Sequence, residues 1–424
     1  MRTKVKLLAC LAGGLAPWLM IASSPASAGD ETYTLKQIIN LPDGQSLGSF
    51  DIGFDDANIH TYALADRTNK SVDIIDTNTN TVTKQLHATP PFAGGHGATG
   101  GPNGVIIVDQ KEVWAGDAFG LLKAIDLATG NTIAVMNTGG QLRSDELCED
   151  VADEIVMIAN DEVEDSFVTF WSSETYQMLG KITFKGKDPA AKNIIANGIE
   201  QCKYNPRIGA FFLNLPATMD SKGNPLPGVT LQISARAPFR VEKVFTFETS
   251  LGCGPTGLAI GPGHQMLLGC SGTNSLIIDD RDGSILTFLG GETSDEAWYN
   301  PGDNTYFLAD DLKLGSVDAA TGAEDVTTVT ATGSHSVAAD MLKNQIYIPV
   351  NNVPAEGGAS HICGNNGGSD SKGCIAVYHS THDDHCLAAG FPVLDHDDGD
   401  DPVYMRTQCS QDLRAERTDN ATDR

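Results

Sequence analysis

The sequence predicts an all-β fold, a seven-bladed β-propeller closed by a strand from near the N-terminus. Three observations carry that prediction: a strand-turn-strand unit that returns seven times, turns built from Asp, Asn and Gly, and no long amphipathic helical pattern. Length alone would allow two or three domains, but a fixed internal repeat overrides that estimate.

The first unit runs from Tyr62-Ala-Leu-Ala-Asp66 to Val72-Asp-Ile-Ile-Asp76-Thr-Asn-Thr-Asn80, and the second from Val113-Trp-Ala-Gly-Asp117 to Leu122-Lys-Ala-Ile-Asp126-Leu-Ala-Thr-Gly130. Further copies start at Val156, Met266, Tyr306 and Ile346, and a more divergent one spans Phe211 to Ser234. Short β-branched strands at such spacing fit propeller blades and not βαβ units. A propeller must pair its first and last blades to leave no open edge. No strand pattern follows Tyr378, so the segment Tyr33 to Leu41 is expected to supply the outer strand of the last blade.

These units resemble the bacterial YVTN-type repeat family, in which a Tyr-Val-Thr-Asn-like strand precedes a Val-x-Val-Ile-Asp-x-x-Thr strand and turn. The resemblance covers about 50 to 380 and implies the propeller fold; it implies no single activity, because that family carries many.

Arg2, Lys4 and Lys6, an apolar run from Leu7 to Ala22 and Ala26-Ser27-Ala28 together read as a secretory signal peptide. The expected organisation is signal peptide 1–28, propeller 29–378 and an acidic, His/Asp-rich tail 379–424, partly disordered and tethered by a disulfide. Export to the periplasm is preferred, with the extracellular medium as the alternative. No other segment has the roughly 18 apolar residues of a membrane span. Without Arg2, Lys4 and Lys6 the chain holds 25 basic against 55 acidic residues, a net charge of −30 that repels nucleic acid and anionic lipid and attracts cations.

Eight cysteines lie beyond Cys10, an even number that in an oxidising compartment reads as disulfides. Position in the repeat suggests Cys148 with Cys202 between two blades, Cys253 with Cys270 across a hairpin, Cys363 with Cys374 around a Gly-rich insertion, and Cys386 with Cys409 in the tail. The spacing offers no haem attachment and no two-Cys-x-x-Cys zinc pattern. Gly95-His-Gly97-Ala-Thr-Gly100 leads into a strand rather than a helix, so no NAD or other nucleotide site is expected.

The strand before each Tyr-x-x-x-Asp strand should be innermost. Aligned on the turns that end them, these strands place Asp51 (or Phe50), Asn103, Asp145, Glu200, Thr256, Asp295 and His335 at one level, with Glu146, Gln201, Glu296 and Ser336 one residue later. Polar residues recurring there mark the wall of an axial channel. Crowded carboxylates repel unless protonated or neutralised, and an oxygen-rich set favours a divalent cation, calcium before magnesium. Asn103, Asp145, Glu200 and Asp295 are the candidate ligands. A water-filled polar channel would account for the same residues.

Pro102-Asn103-Gly104 followed by an acidic residue one blade later also resembles the metal-binding strands of the gluconolactonase group, six-bladed propellers with a calcium-dependent hydrolytic site. That resemblance, matched by type at Asn103, Asp145 and Glu200, implies a calcium-dependent lactonase-like site. A catalytic channel would make the protein a metal-dependent hydrolase or a lyase on a small molecule, with Glu200 or Asp295 as general base and His335 as acid. The alternative is a non-catalytic propeller that binds a small ligand, a metal or a periplasmic protein. Outside the blades, His361, His379, His382, His385 and His396 with the Asp395 to Asp401 run form a histidine-acid cluster of no defined site spacing, read as a solvated segment with metal binding as the alternative.

Overall fold

A computed structural model describes residues 33–161, 166–310, 313–328, 334–353, 362–364 and 371–380, without the side chains of 325–328. The expected signal peptide, Cys386, Cys409, His361, His382, His385, His396 and the Asp395 to Asp401 run lie outside the described residues.

Each Tyr-x-x-x-Asp segment forms the second strand of a four-stranded antiparallel sheet. Sheet I consists of Gly53–Asp56, Thr61–Asp66, Ser71–Asp76 and Thr81–Leu86 in that order. Five more sheets repeat the plan: sheet II from Val105–Val108 to Thr132–Asn137, III from Ser144–Asp150 to Met178–Thr183, IV from Cys202–Asn205 to Val241–Thr246, V from Cys253–Ile260 to Ile285–Gly290, and VI from Glu296–Asn300 to Glu324–Thr328. Sheet VII takes Ala338–Asp340, Gln345–Val350 and Cys374–Ser380, and its fourth strand is Tyr33–Ile39, which pairs Tyr33 with Ser380 and Ile39 with Ile375. The last of these strands therefore carries His379, in register with Thr34 and Gln345. Beside the strands of sheet IV, Ile195–Ala196, Thr218–Met219 and Pro225–Leu226 make a small three-stranded sheet.

The first strand of sheets I to VI, together with Ala338–Asp340 of sheet VII, is called here the lead strand. Each lead strand lies against those of two other sheets, and the series returns from Ala338–Asp340 to Gly53–Asp56. The all-β architecture of repeated four-stranded sheets is consistent with a propeller.

The second strands are buried because sheets cover both their faces. Tyr62, Ala63, Leu64 and Ala65 are all fully buried, as are Trp114 and the run Val156 to Ala159. Burying one such large apolar side chain stabilises by about 1.5–3 kcal/mol. The fourth strands are mostly exposed instead, with Met178 and Leu179 of sheet III at the surface and Ile182 inside. Turn chemistry repeats too. Asp126 Oδ1 accepts from the Thr129 amide (2.6 Å) and hydroxyl (2.7 Å) before Gly130 at φ 75°, and Asp318 does the same for Thr321 before Gly322 at φ 71°. Such Asx turns satisfy the backbone locally and set the hairpin register.

Three disulfides join Cys148 to Cys202, Cys253 to Cys270 and Cys363 to Cys374. The first ties the lead strands of sheets III and IV together. Among the described residues no helix is long and apolar enough to cross a membrane.

Candidate functional site: the two ends of the lead strands

At the start of the lead strands the acidic residues expected there meet cations that the sequence reading passed over. Arg67, which follows the second strand of sheet I, is buried; it pairs with Asp51 through Nη2 and donates to Asn103 Oδ1 from Nε (3.1 Å) and Nη2 (2.7 Å). Asn103 Nδ2 donates to the carbonyls of Gly100 (3.2 Å) and Ser144 (3.0 Å), so its carboxamide is used at both ends. His335 stacks on Phe50, with ring centroids 4.9 Å apart, and places Nε2 3.3 Å from Asp51 Oδ1. Asp51, Asn103, Arg67 and His335 thus form one hydrogen-bonded group.

Arg143 Nε lies 2.7 Å from Asp145 Oδ2, an ion contact whose angle falls short of a hydrogen bond, and Arg143 Nη2 is 3.5 Å from Asp161. Gln201 Oε1 accepts the amides of Leu258 and of Ala297 (3.2 Å), while the Thr256 hydroxyl donates to the carbonyls of Ser294 (2.5 Å) and Gly269 (3.2 Å). Gln201 and Thr256 tie neighbouring sheets together.

The charges follow from this. Burial would raise the Asp51 carboxyl, but Arg67, the His335 hydrogen bond and Arg143 override it and hold it at about 2. His335 goes up: burial opposes its charge, and Asp51 outweighs burial. Burial raises Asp145 strongly against the pull of Arg143. Glu200 also rises well above the ordinary range, through burial and then the repulsion of Asp295, Asp145 and Asp161. Burial lifts Glu146 to about 7, while Glu296, within hydrogen-bonding reach of it, is pushed well up by burial and by Glu146.

Of the four metal candidates, the Asn103 oxygen and the Asp145 carboxylate already face guanidinium groups, whereas Glu200 and Asp295 stand against each other. Among the described residues no group of three or more His, Cys, Asp or Glu is placed to hold a metal ion. Arg67 and Arg143 supply positive charge at the places where the column of acids and amides called for it.

At the other end of the lead strands a cavity of about 720 Å³ opens, lined by residues from or directly after the lead strand of every sheet. Its apolar wall includes Phe54, Ile106, Leu147, Ile260, Trp298 and Met341; its polar groups include Asp55, Asp109, Glu149, Lys203 and Tyr204. Lys203 holds its ammonium over the Trp298 ring, 5.0 Å from the centroid. Sequence reasoning missed this end because it followed carboxylates and amides at strand starts. The recurrent feature here is a mixed apolar and polar strand end, which has no motif.

No family model matches the chain, and no curated protein matches it.

Proposed function

We propose that the chain is an exported, seven-bladed β-propeller, closed by Tyr33–Ile39, that binds a small, largely apolar organic molecule in the cavity at the ends of its lead strands. One observation carries the binding reading: seven sheets contribute residues to a single concave, mostly apolar space with a few polar groups, the composition of a small-molecule site. The cyclic adjacency of the lead strands and the pairing of Tyr33–Ile39 with Cys374–Ser380 support the closed propeller, as does the likeness of the repeats to the YVTN-type family. Three disulfides and the basic-then-apolar N-terminus support export to an oxidising compartment, the periplasm before the medium.

The test is titration with N-phenyl-1-naphthylamine, a neutral fluorescent probe, excited directly and through Trp298. Saturable binding is expected, weakened at least about tenfold when Met341→Trp fills the cavity. Non-saturable binding, or equal affinity in the filled variant, overturns the reading.

A second reading, a divalent cation between Glu200 and Asp295 serving lactonase-like or lyase chemistry, is favoured by the mutual repulsion of those two carboxyl groups. Metal bound by the wild type and lost in both Glu200→Ala and Asp295→Ala, with chelator-sensitive turnover of a lactone panel, would support it. Unchanged metal content in both variants would remove it.

A further inference from the structure

The cavity contains a lysine with no acid at ion-pair distance among the described residues, and that arrangement bears on what kind of ligand it takes; the inference rests on the cavity being a ligand site. Lys203 and Glu149 each follow one half of the Cys148–Cys202 disulfide, whose Cα atoms are 5.8 Å apart, so the bridge holds their two strands side by side where both residues line the cavity. The fully buried cations Arg67 and Lys123 are paired at close range, Arg67 with Asp51 and Lys123 Nζ with Asp117 at 2.6 Å. The half-buried Lys203 side chain makes no hydrogen bond or ion pair among the described residues and rests on the face of Trp298.

An unmatched ammonium in a desolvated site favours the neutral amine. Burial lowers Lys203, against the pull of Glu296 and Glu146, the charged groups that act on it. Glu149 moves the other way: burial lifts it to about 8, and Asp109, Asp150, Asp56 and Glu112 add to the rise. A lysine pushed down and a carboxyl pushed up thus line one cavity. Asp56 and Asp109 at its edge disfavour anions, so a neutral electrophile suits the space better than a carboxylate that would pair with the lysine.

We propose that Lys203 captures the carbonyl carbon of a small apolar aldehyde or ketone in this cavity as a reversible imine, with Glu149 as its proton donor. The Nζ lone pair bonds to the carbonyl carbon, and an Nζ proton passes to the oxygen to give the carbinolamine. Glu149 then protonates the hydroxyl, the C–O bond breaks to release water, and the nitrogen lone pair forms the C=N bond. A protonated imine faces the Glu149 carboxylate; hydrolysis reverses every step, and no redox partner is needed.

The experiment incubates the folded protein with benzaldehyde and sodium cyanoborohydride near neutral pH and maps benzylated lysines by peptide mass spectrometry. A lysine in water titrates at about 10.4 and is a poor nucleophile near neutral pH, so the expected result is one dominant adduct, at Lys203. Lys203→Arg should remove it. Glu149→Gln should slow it by on the order of 10²-fold and abolish the fall in rate expected in wild type as pH passes about 8. Because the wild-type adduct map is itself decisive, a variant that fails to fold does not blunt the test. Adducts spread over surface lysines with none enriched at Lys203, alongside saturable naphthylamine binding, overturn the imine and leave the cavity reading standing. Loss of both signals overturns both.

Discussion

Arg67 is the residue on which the start of the lead strands depends. It carries the one guanidinium between Asp51 and Asn103, and all three side chains are buried. Arg67→Met should destabilise by about 3–5 kcal/mol, because it strands a buried carboxylate, and adding Asp51→Asn should recover part of that loss; urea unfolding of the two variants measures both. Equal destabilisation in the single and double variants would show that packing, not charge, is what Arg67 supplies. The acids and amides of this group could be read in the sequence because they recur at one position in the repeat. Arg67 and Arg143 could not: Arg67 sits after the second strand and Arg143 in a connection, so neither shares the register of its partners, and only the fold brings them together. The protonation of Asp51 and Glu149 gives pH dependence with opposite signs. Asp51, held at about 2, lies below its unfolded value of about 3.9, so its stabilisation of about 2 kcal/mol is present above that value and is lost as pH falls toward 2. Glu149, raised to about 8, lies above its unfolded value of about 4.3; its contribution is complete below that value and lost as pH rises through 8. The melting temperature should therefore be higher at pH 5 than at pH 9, and Glu149→Gln should shrink the difference; a melting curve that is level between those values would refute this assignment.

Among the elements, the disulfide between sheets III and IV does what neither sheet can do alone. Cys148 and Cys202 are 54 residues apart, against 17 and 11 for the other two pairs, so on chain entropy its removal should cost about 1 kcal/mol more than removal of Cys363–Cys374. Calorimetry of the two double Cys→Ala variants gives the order, and the reverse order would show that native-state packing outweighs chain entropy. The blades were legible because their short apolar strands recur in a fixed order and their Asp-x-x-Thr-Gly turns are local. The three-stranded sheet built on Ile195–Ala196 was not: its strands are two residues long, too short for any periodicity to register. Gly53 shows another signal that sequence hides. A Cβ there would come within 2.3 Å of the Tyr62 hydroxyl, so this glycine is required by a ring from its own sheet and not by a turn.

For the molecule as a whole, the acidic excess sets a long-range repulsion that salt should relieve. With 55 acidic against 28 basic residues, the melting temperature should rise on going from 10 mM to 500 mM sodium chloride, as the screening length drops from about 30 Å to a few ångströms; a fall would mean that local ion pairs such as Arg236–Asp153 dominate instead. Removing residues 33–39 should be far more damaging than their exposed positions suggest, since it leaves Cys374–Ser380 as an open edge; size-exclusion chromatography should show association. That same pairing has a consequence in time. Tyr33–Ile39 is completed by a strand that starts only at Cys374, so at about 5–20 residues per second it waits on the order of tens of seconds for its partner. Its side chains suit the wait. Thr34, Leu35, Lys36 and Gln37 remain outward even in the finished sheet, and a lysine at the centre of a lone strand discourages pairing with a neighbouring chain before its own end arrives.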